Sequence, residues 1–186
     1  MTLSFPAPPS PRPDQEPGTR PAPVVGLRVP TEEDAYVWHA LFADPEVMRF
    51  HGGRPAELSV YQELTARQRR HDAELGYCFW TVLDAEGHAL GFTGAQPWPH
   101  QDFGPVGGVE IGWRLARPAW GRGHATAAAR LTLERLRAAG VPVVHAMVKS
   151  DNLRSAQVAR RLGMTLAEEF VLPRTGEAGQ RFELPL

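Results

Sequence analysis

The stretch from Val109 to Met164 reads VEIGWRLARPAWGRGHATAAARLTLERLRAAGVPVVHAMVKSDNLRSAQVARRLGM, and it decides how the rest of this chain is read. Val109, Ile111, Trp113 and Leu115 alternate onto one face, which predicts a half-buried strand. Pro118 and the glycine pair Gly121 and Gly123 follow. An alanine-rich segment carrying Leu131, Leu133 and Leu136 then has helical spacing. A glycine-spaced turn between a strand and a helix bares backbone N–H groups at the positive end of the helix, where an anion can be held. The pattern is therefore that of a phosphate cradle.

Two phosphate loops are excluded by what is missing. A nucleotide-hydrolysing loop needs Lys and then Ser or Thr after its last glycine, and here Gly123 is followed by His124 and Ala125. A dinucleotide fingerprint follows a first buried strand and has an acid about 20 residues on, and this loop meets neither condition. The sequence WGRGHAT resembles the acyl-CoA loop of the GCN5-related N-acetyltransferases (GNAT), whose pattern is Gln or Arg, two residues, Gly, one residue, then Gly or Ala. Trp120 stands in the Gln/Arg place, Gly123 is the required glycine and Ala125 the closing small residue. The Trp-Gly-Arg-Gly form is most similar to the branch that acetylates ribosomal protein N-termini (RimJ/RimL-like). The resemblance extends to Asn152 and Ser155 as N-x-x-S, to Leu162-Gly163-Met164 and to LRVPTEEDAYVWHALFADPEVMRF, and so covers roughly residues 26 to 172.

The resemblance implies a single α/β domain over residues 26–186. Its mixed, mostly antiparallel sheet would have six or seven strands flanked by about four helices, with a V-shaped splay between the central strands. Acetyl-CoA would be the co-substrate and no metal is implied. Its pyrophosphate would rest on Gly121, Arg122, Gly123, His124, Ala125 and Thr126 beside Trp120. Arg122 is either a charge contact or a solvent-facing side chain. The pantetheine amides would pair with the backbone of Ile111, Gly112, Trp113, Arg114 and Leu115, with a bulge at Gly112 opening the sheet. Asn152 and Ser155 would reach the co-substrate, and the same pair also reads as a plain helix cap.

Glu110 matches the central-strand glutamate that acts as base in histone-modifying members. It is a candidate general base, or else a structural carboxylate paired with an arginine such as Arg114. Two other positions depart from relatives. Ala159 stands where many have a tyrosine acid, and Met147 where some ribosomal acetyltransferases have a glutamate. The implied reaction is acetyl transfer to a primary amine, on a peptide N-terminus or a small molecule, by direct attack in a ternary complex. The alternative is a non-catalytic acyl-CoA-binding sensor or interaction module.

Bulk properties agree with this class. A chain of 186 residues suffices for one domain with a sizeable core. A net charge of −1 argues against a general nucleic-acid binder. The lone Cys78 excludes an internal disulfide and a cysteine-based zinc cluster, and it reads as a core residue. No apolar run reaches membrane-spanning length and no signal pattern opens the chain, so cytoplasmic residence is expected, as monomer or homodimer.

Residues 1–25 hold eight prolines and few large apolar groups, which predicts a flexible tail. A short strand is expected at Val24–Val29, then a helix capped by Thr31 that presents Ala35, Trp38, Leu41 and Phe42 to the core and ends at Asp44-Pro45. A second helix should run to about Leu75, with RQRRHDAE as a solvated face, and His51 lies in the glycine-containing connection between the two. Tyr77–Leu83 and His88–Ala95 predict a hairpin and Gln96–Gly108 a loop. Val141–Lys149 is read as the next central strand, and Leu166–Leu172 with Arg181–Leu186 as a last pair. His124 and His145 are titratable neighbours of the site with structural roles as the alternative.

Overall fold

The computed structural model describes residues 21–172 and 175–186. The predicted proline-rich tail falls mainly on residues 1–20, outside the described residues. The elements are β1 (Gly26–Arg28), α1 (Glu33–Leu41), α2 (Pro45–Met48), α3 (Leu58–Leu75), β2 (Phe79–Leu83), β3 (Ala89–Pro97), β4 (Val109–Leu115), α4 (His124–Ala138), β5 (Val143–Lys149), α5 (Leu153–Arg161), β6 (Thr165–Val171) and β7 (Ala178–Pro185). One 3-10 turn, Arg117–Ala119, joins β4 to the glycine loop. The strands form a seven-stranded sheet in the order β1-β2-β3-β4-β5-β7-β6. Of the six pairings only β4–β5 is parallel.

Alternation along the strands sorts side chains into two layers. Phe79 and Phe92 pack with Trp38, Phe42 and Tyr61 beneath α1–α3. Trp80, Ile111 and Val144 join Leu133 and Leu136 of α4 and Ala156 and Ala159 of α5 on the other face. Glu110, Gly112 and Arg114 alternate against Ile111 and Leu115, so they are on the α1–α3 side: a Cβ on Gly112 would meet the Phe79 ring at 3.4 Å.

Several local details differ from expectation. The fifth helix is α2, a single turn with Asp44 as N-cap, whose carboxylate accepts from Glu46 N–H at 2.9 Å. Asp44-Pro45 therefore starts a helix rather than only ending α1, because proline at the first helical position needs no N–H partner. Thr31 does not cap α1. The helix begins at Glu33, and the Asp34 carboxylate accepts from Thr31 N–H at 2.7 Å while it also pairs with Arg28.

The predicted bulge at Gly112 is absent. β3 and β4 stay in unbroken register from Gly91↔Leu115 to Pro97↔Val109, and Thr93 Oγ1 donates to Gly112 O at 3.0 Å. The splay arises on the other edge. β4 and β5 pair only at Val109↔Val144 and Glu110↔His145, although both strands continue. Each follows its own antiparallel partner through seven residue pairs, β4 with β3 and β5 with β7. Two parallel pairs cannot hold together strands that seven antiparallel ones steer apart.

The twist of β3 depends on Gly91 and Gly94, with φ of 138° and 151°. A Cβ on Gly94 would overlap the Cys78 carbonyl, immediately before β2. Gly94→Ala is therefore expected to destabilise the fold by about 2 kcal/mol or more, and a fall in Tm of roughly 4–8 °C by calorimetry checks it.

Candidate active site

The loop after β4 is held by its tryptophan. Trp120 Nε1 donates to Leu115 O at 2.7 Å, tying the loop to the end of the strand, and the Arg154 guanidinium of α5 lies 4.8 Å from its ring centroid. Gly121 and Gly123 have φ of 71° and 86°, which β-carbon-bearing residues rarely adopt, and Gly123 is the N-cap of α4. Among the described residues, the N–H groups from Gly121 to Thr126 have no hydrogen-bond acceptor. Pairing resumes at Ala127, which donates to Gly123 O at 3.0 Å. A run of free donors at a helix N-terminus fits a pyrophosphate group.

A cleft of about 560 Å³ runs from this loop past Trp113, Asn152 and Ser155 to Val47, Phe50 and His51. A second cavity of about 170 Å³ continues it between β4 and β5, lined by Glu110, Ile111, Gly112, Met147 and Lys149. Phe50, His51, Trp113, Asn152 and Ser155 line both. The inner cavity is the V itself. From Ile111 to Leu115 the β5-facing edge of β4 carries no ladder, so its backbone groups are available to amides of a bound arm.

Glu110 is at the root of the V, in the last residue pair before the strands part. Its carboxylate accepts from Gln96 Nε2 at 3.3 Å. Gln96 Oε1 accepts from Gln68 Nε2 at 3.1 Å, and Gln68 Oε1 accepts from Phe79 N–H at 2.9 Å. This chain of buried amides runs from the backbone of β2 through α3 to the acid. Burial raises the Glu110 pKa from 4.5 to about 7, against the opposing pull of the Gln96 hydrogen bond and the Arg114 charge. Among the described residues no arginine is within 4.0 Å of Glu110, so the ion pair with Arg114 is not formed.

The remaining expected site residues separate into groups. Asn152 caps α5, its side chain accepting from Ser155 N–H at 3.2 Å, and both residues face the cleft. Arg122 is exposed and outside the lining of either cavity. His124 lines the cleft with Nδ1 3.1 Å from Ala119 O. His145 is directed away, toward Arg181 and Glu183. His51 is at the mouth, where desolvation first, then the charges of Arg114 and Lys149, hold its imidazole far below the usual range and neutral. Ala159 is fully buried in the core beneath β5 and does not reach the cleft. Cys78 is likewise buried, with its thiol pKa pushed up by burial. The β3–β4 loop packs on itself through Trp98 and Phe103 and lines neither cavity.

Two features were missed in the sequence. The RQRRHDAE run predicts a solvated Gln68, yet this side chain is fully buried. Its spacing from Tyr61 and Thr65, seven and three residues along one helical face, is the available signal. Gln96 was assigned to a loop, whereas β3 continues through Pro97.

A family model described as the acetyltransferase (GNAT) domain matches residues 25–165. An uncharacterised protein of Bacillus subtilis, YkkB, is 29% identical over 143 residues, covering 75% of this chain and 81% of that one. An L-methionine sulfoximine/L-methionine sulfone acetyltransferase of Pseudomonas paraeruginosa is 30% identical over 118 residues, covering 62% of this chain and 66% of that one. The structure of Mycobacterium smegmatis RimJ in complex with CoA-disulfide superposes with a TM-score of 0.71 at 20% identity, covering 89% of this chain and 83% of that one.

The raised Glu110 pKa has a consequence for stability. The folded chain holds a proton that the unfolded chain releases, so stability falls as pH rises from about 4.5 to about 7 and is level beyond. The full cost is roughly 3 kcal/mol. Glu110→Gln should unfold like the parent protein near pH 4.5 and be more stable by up to about 3 kcal/mol at pH 8. Urea unfolding at the two pH values measures this.

Proposed function

The chain belongs to the GNAT acetyltransferase family, and from that premise we propose that it transfers an acetyl group from acetyl-CoA to a primary amine by direct attack in a ternary complex. The observation that carries this reading is Glu110 at the root of the β4–β5 divergence, poised near neutral pH and opening into the cavity that leads to the free N–H groups of the glycine loop. That loop, Gly121 to Thr126, would hold the pyrophosphate, and the unpaired edge of β4 would pair with the pantetheine amides. Glu110 would take the proton from the acceptor ammonium, leaving a neutral nitrogen to attack the thioester. Backbone N–H groups of β4 near Gly112 would stabilise the oxyanion.

The proton for the departing thiolate has no tyrosine source, because Ala159 is in the core. Ser155 lines both cavities and is the protein hydroxyl available to supply it, directly or through water. The acceptor is drawn from two directions. The Trp-Gly-Arg-Gly loop and the likeness to RimJ support a peptide N-terminus, and the name of the Pseudomonas relative supports a small amino-acid-like amine.

Acetyl-CoA at about 100 times its Kd should stabilise the protein by roughly 2.7 kcal/mol, while ATP and NADPH should leave Tm unchanged. An unmoved Tm with acetyl-CoA would refute the cradle. Glu110→Gln should lower kcat by about 10² or more with acetyl-CoA affinity preserved, and kcat/KM of the parent protein should rise through a pKa near 7. Equal turnover by the variant would leave a binding protein or a different base.

A further inference from the structure

Arg114 carries a charge that the acetyl-transfer scheme does not use. It follows Glu110 and Gly112 on the face of β4 turned toward α1–α3, about 13 Å of strand beyond the base at roughly 3.3 Å per residue. Its guanidinium carbon is 5.4 Å from the Phe42 ring centroid and 5.3 Å from that of Phe92. Nη1 is 3.9 Å from Met48 Sδ, and the Tyr61 hydroxyl is alongside. Two aromatic rings therefore flank the guanidinium, and neither ring neutralises its charge.

Among the described residues no carboxylate is within 4.0 Å of Arg114, and its buried Nε has no hydrogen-bond partner. Two other partly buried arginines are treated differently. Arg28 is clamped by Asp34, and Arg181 lies between Glu168 and Glu183 at 3.0 Å each. A buried guanidinium without a counter-ion is costly, and arginine cannot relieve that cost by losing its proton. Arg114 also lines the cleft beside Val47, Phe50 and His51, so an anion can reach it. Arg114 lines the outer cleft, Glu110 lines the inner cavity that continues it, and His51 lines both.

We infer that Arg114 binds a carboxylate of the acceptor, so that the amine acetylated by this protein belongs to a free amino acid or a close derivative. The inference rests on the acetyl-transfer reading above and narrows it. A carboxylate presents two oxygens to the guanidinium fork, and such charge-assisted pairs are short and strong. The amino group of the same molecule would then be directed toward Glu110 in the inner cavity. The pyrophosphate of acetyl-CoA is a different anion with its own donors at Gly121 to Thr126.

The test is thiol release from acetyl-CoA with the 20 standard L-amino acids, each compared with its own carboxamide. The pair differs only in the group that Arg114 would hold. For the best substrate the free acid should exceed its amide in kcat/KM by about 30-fold or more. Arg114→Met should bring that ratio close to one, mainly through KM, and Arg114→Lys should restore part of it. The acetyl-CoA thermal shift of each variant establishes that it is folded.

Equal rates for acid and amide in the parent protein would overturn the inference without any variant. So would acetylation confined to amines that lack a carboxylate, or an Arg114→Met variant that loses acid and amide activity alike. A variant that weakens acetyl-CoA binding instead would assign the charge to the co-substrate's phosphates. Acetyl-CoA bound with no thiol release from any amine would take down the acetyl-transfer reading and this inference together.

Discussion

The parting of β4 from β5 after only two residue pairs, Val109↔Val144 and Glu110↔His145, is the constraint on which the rest depends. A parallel pair left unzipped inside a sheet exposes two rows of backbone groups and would be costly in a dry core. Here the opening is sustained from outside, because β3 and β7 each hold their neighbour through seven pairs. It is also polar on one side, where Glu110, Asn152 and Ser155 line it. A gap in the ladder thus becomes a binding slot, and the residue at its closed end is the one nearest the inner end of an extended ligand laid along it.

The same geometry governs the acid. Glu110 is partly buried where the sheet closes around it, and desolvation is the largest influence on its proton affinity. The amides of Gln96 and Gln68 keep it oriented and moderate the shift. They can do so because α3 is packed across the sheet, through Tyr61 and Thr65, close enough for a side chain to reach β2 and β3 at once. The relay is neutral throughout. It therefore aims the carboxylate without supplying a cation that would lock it in its charged form.

Much of this is legible in the sequence. The alternation Val109, Ile111, Trp113, Leu115 placed β4 and put Glu110 on its opposite face. The glycines at 121 and 123 marked the loop because a positive φ is a local requirement. Asn152 as helix cap was equally local, since its acceptor bond spans three residues. The predicted Gly112 bulge failed for the reverse reason. Nothing near Gly112 says whether a sheet opens by an extra residue in one strand or by two half-sheets following different partners.

What the chain determined by itself were the features written in short range: which segments are strand or helix, where the backbone must bend left-handed, and which stretch can cradle an anion. These depend on dihedral preferences and on periods of two and 3.6 residues, which operate within a few positions of the chain. The tertiary structure alone decided that Gln68 is buried in contact with Gln96, that Ala159 is in the core, and that Arg114 faces the cleft without a carboxylate beside it. Each of these depends on which groups from distant segments come within hydrogen-bond or ion-pair range, and on how much water remains between them. Those quantities are properties of packing, and they do not exist until the sheet and its two helical layers have closed.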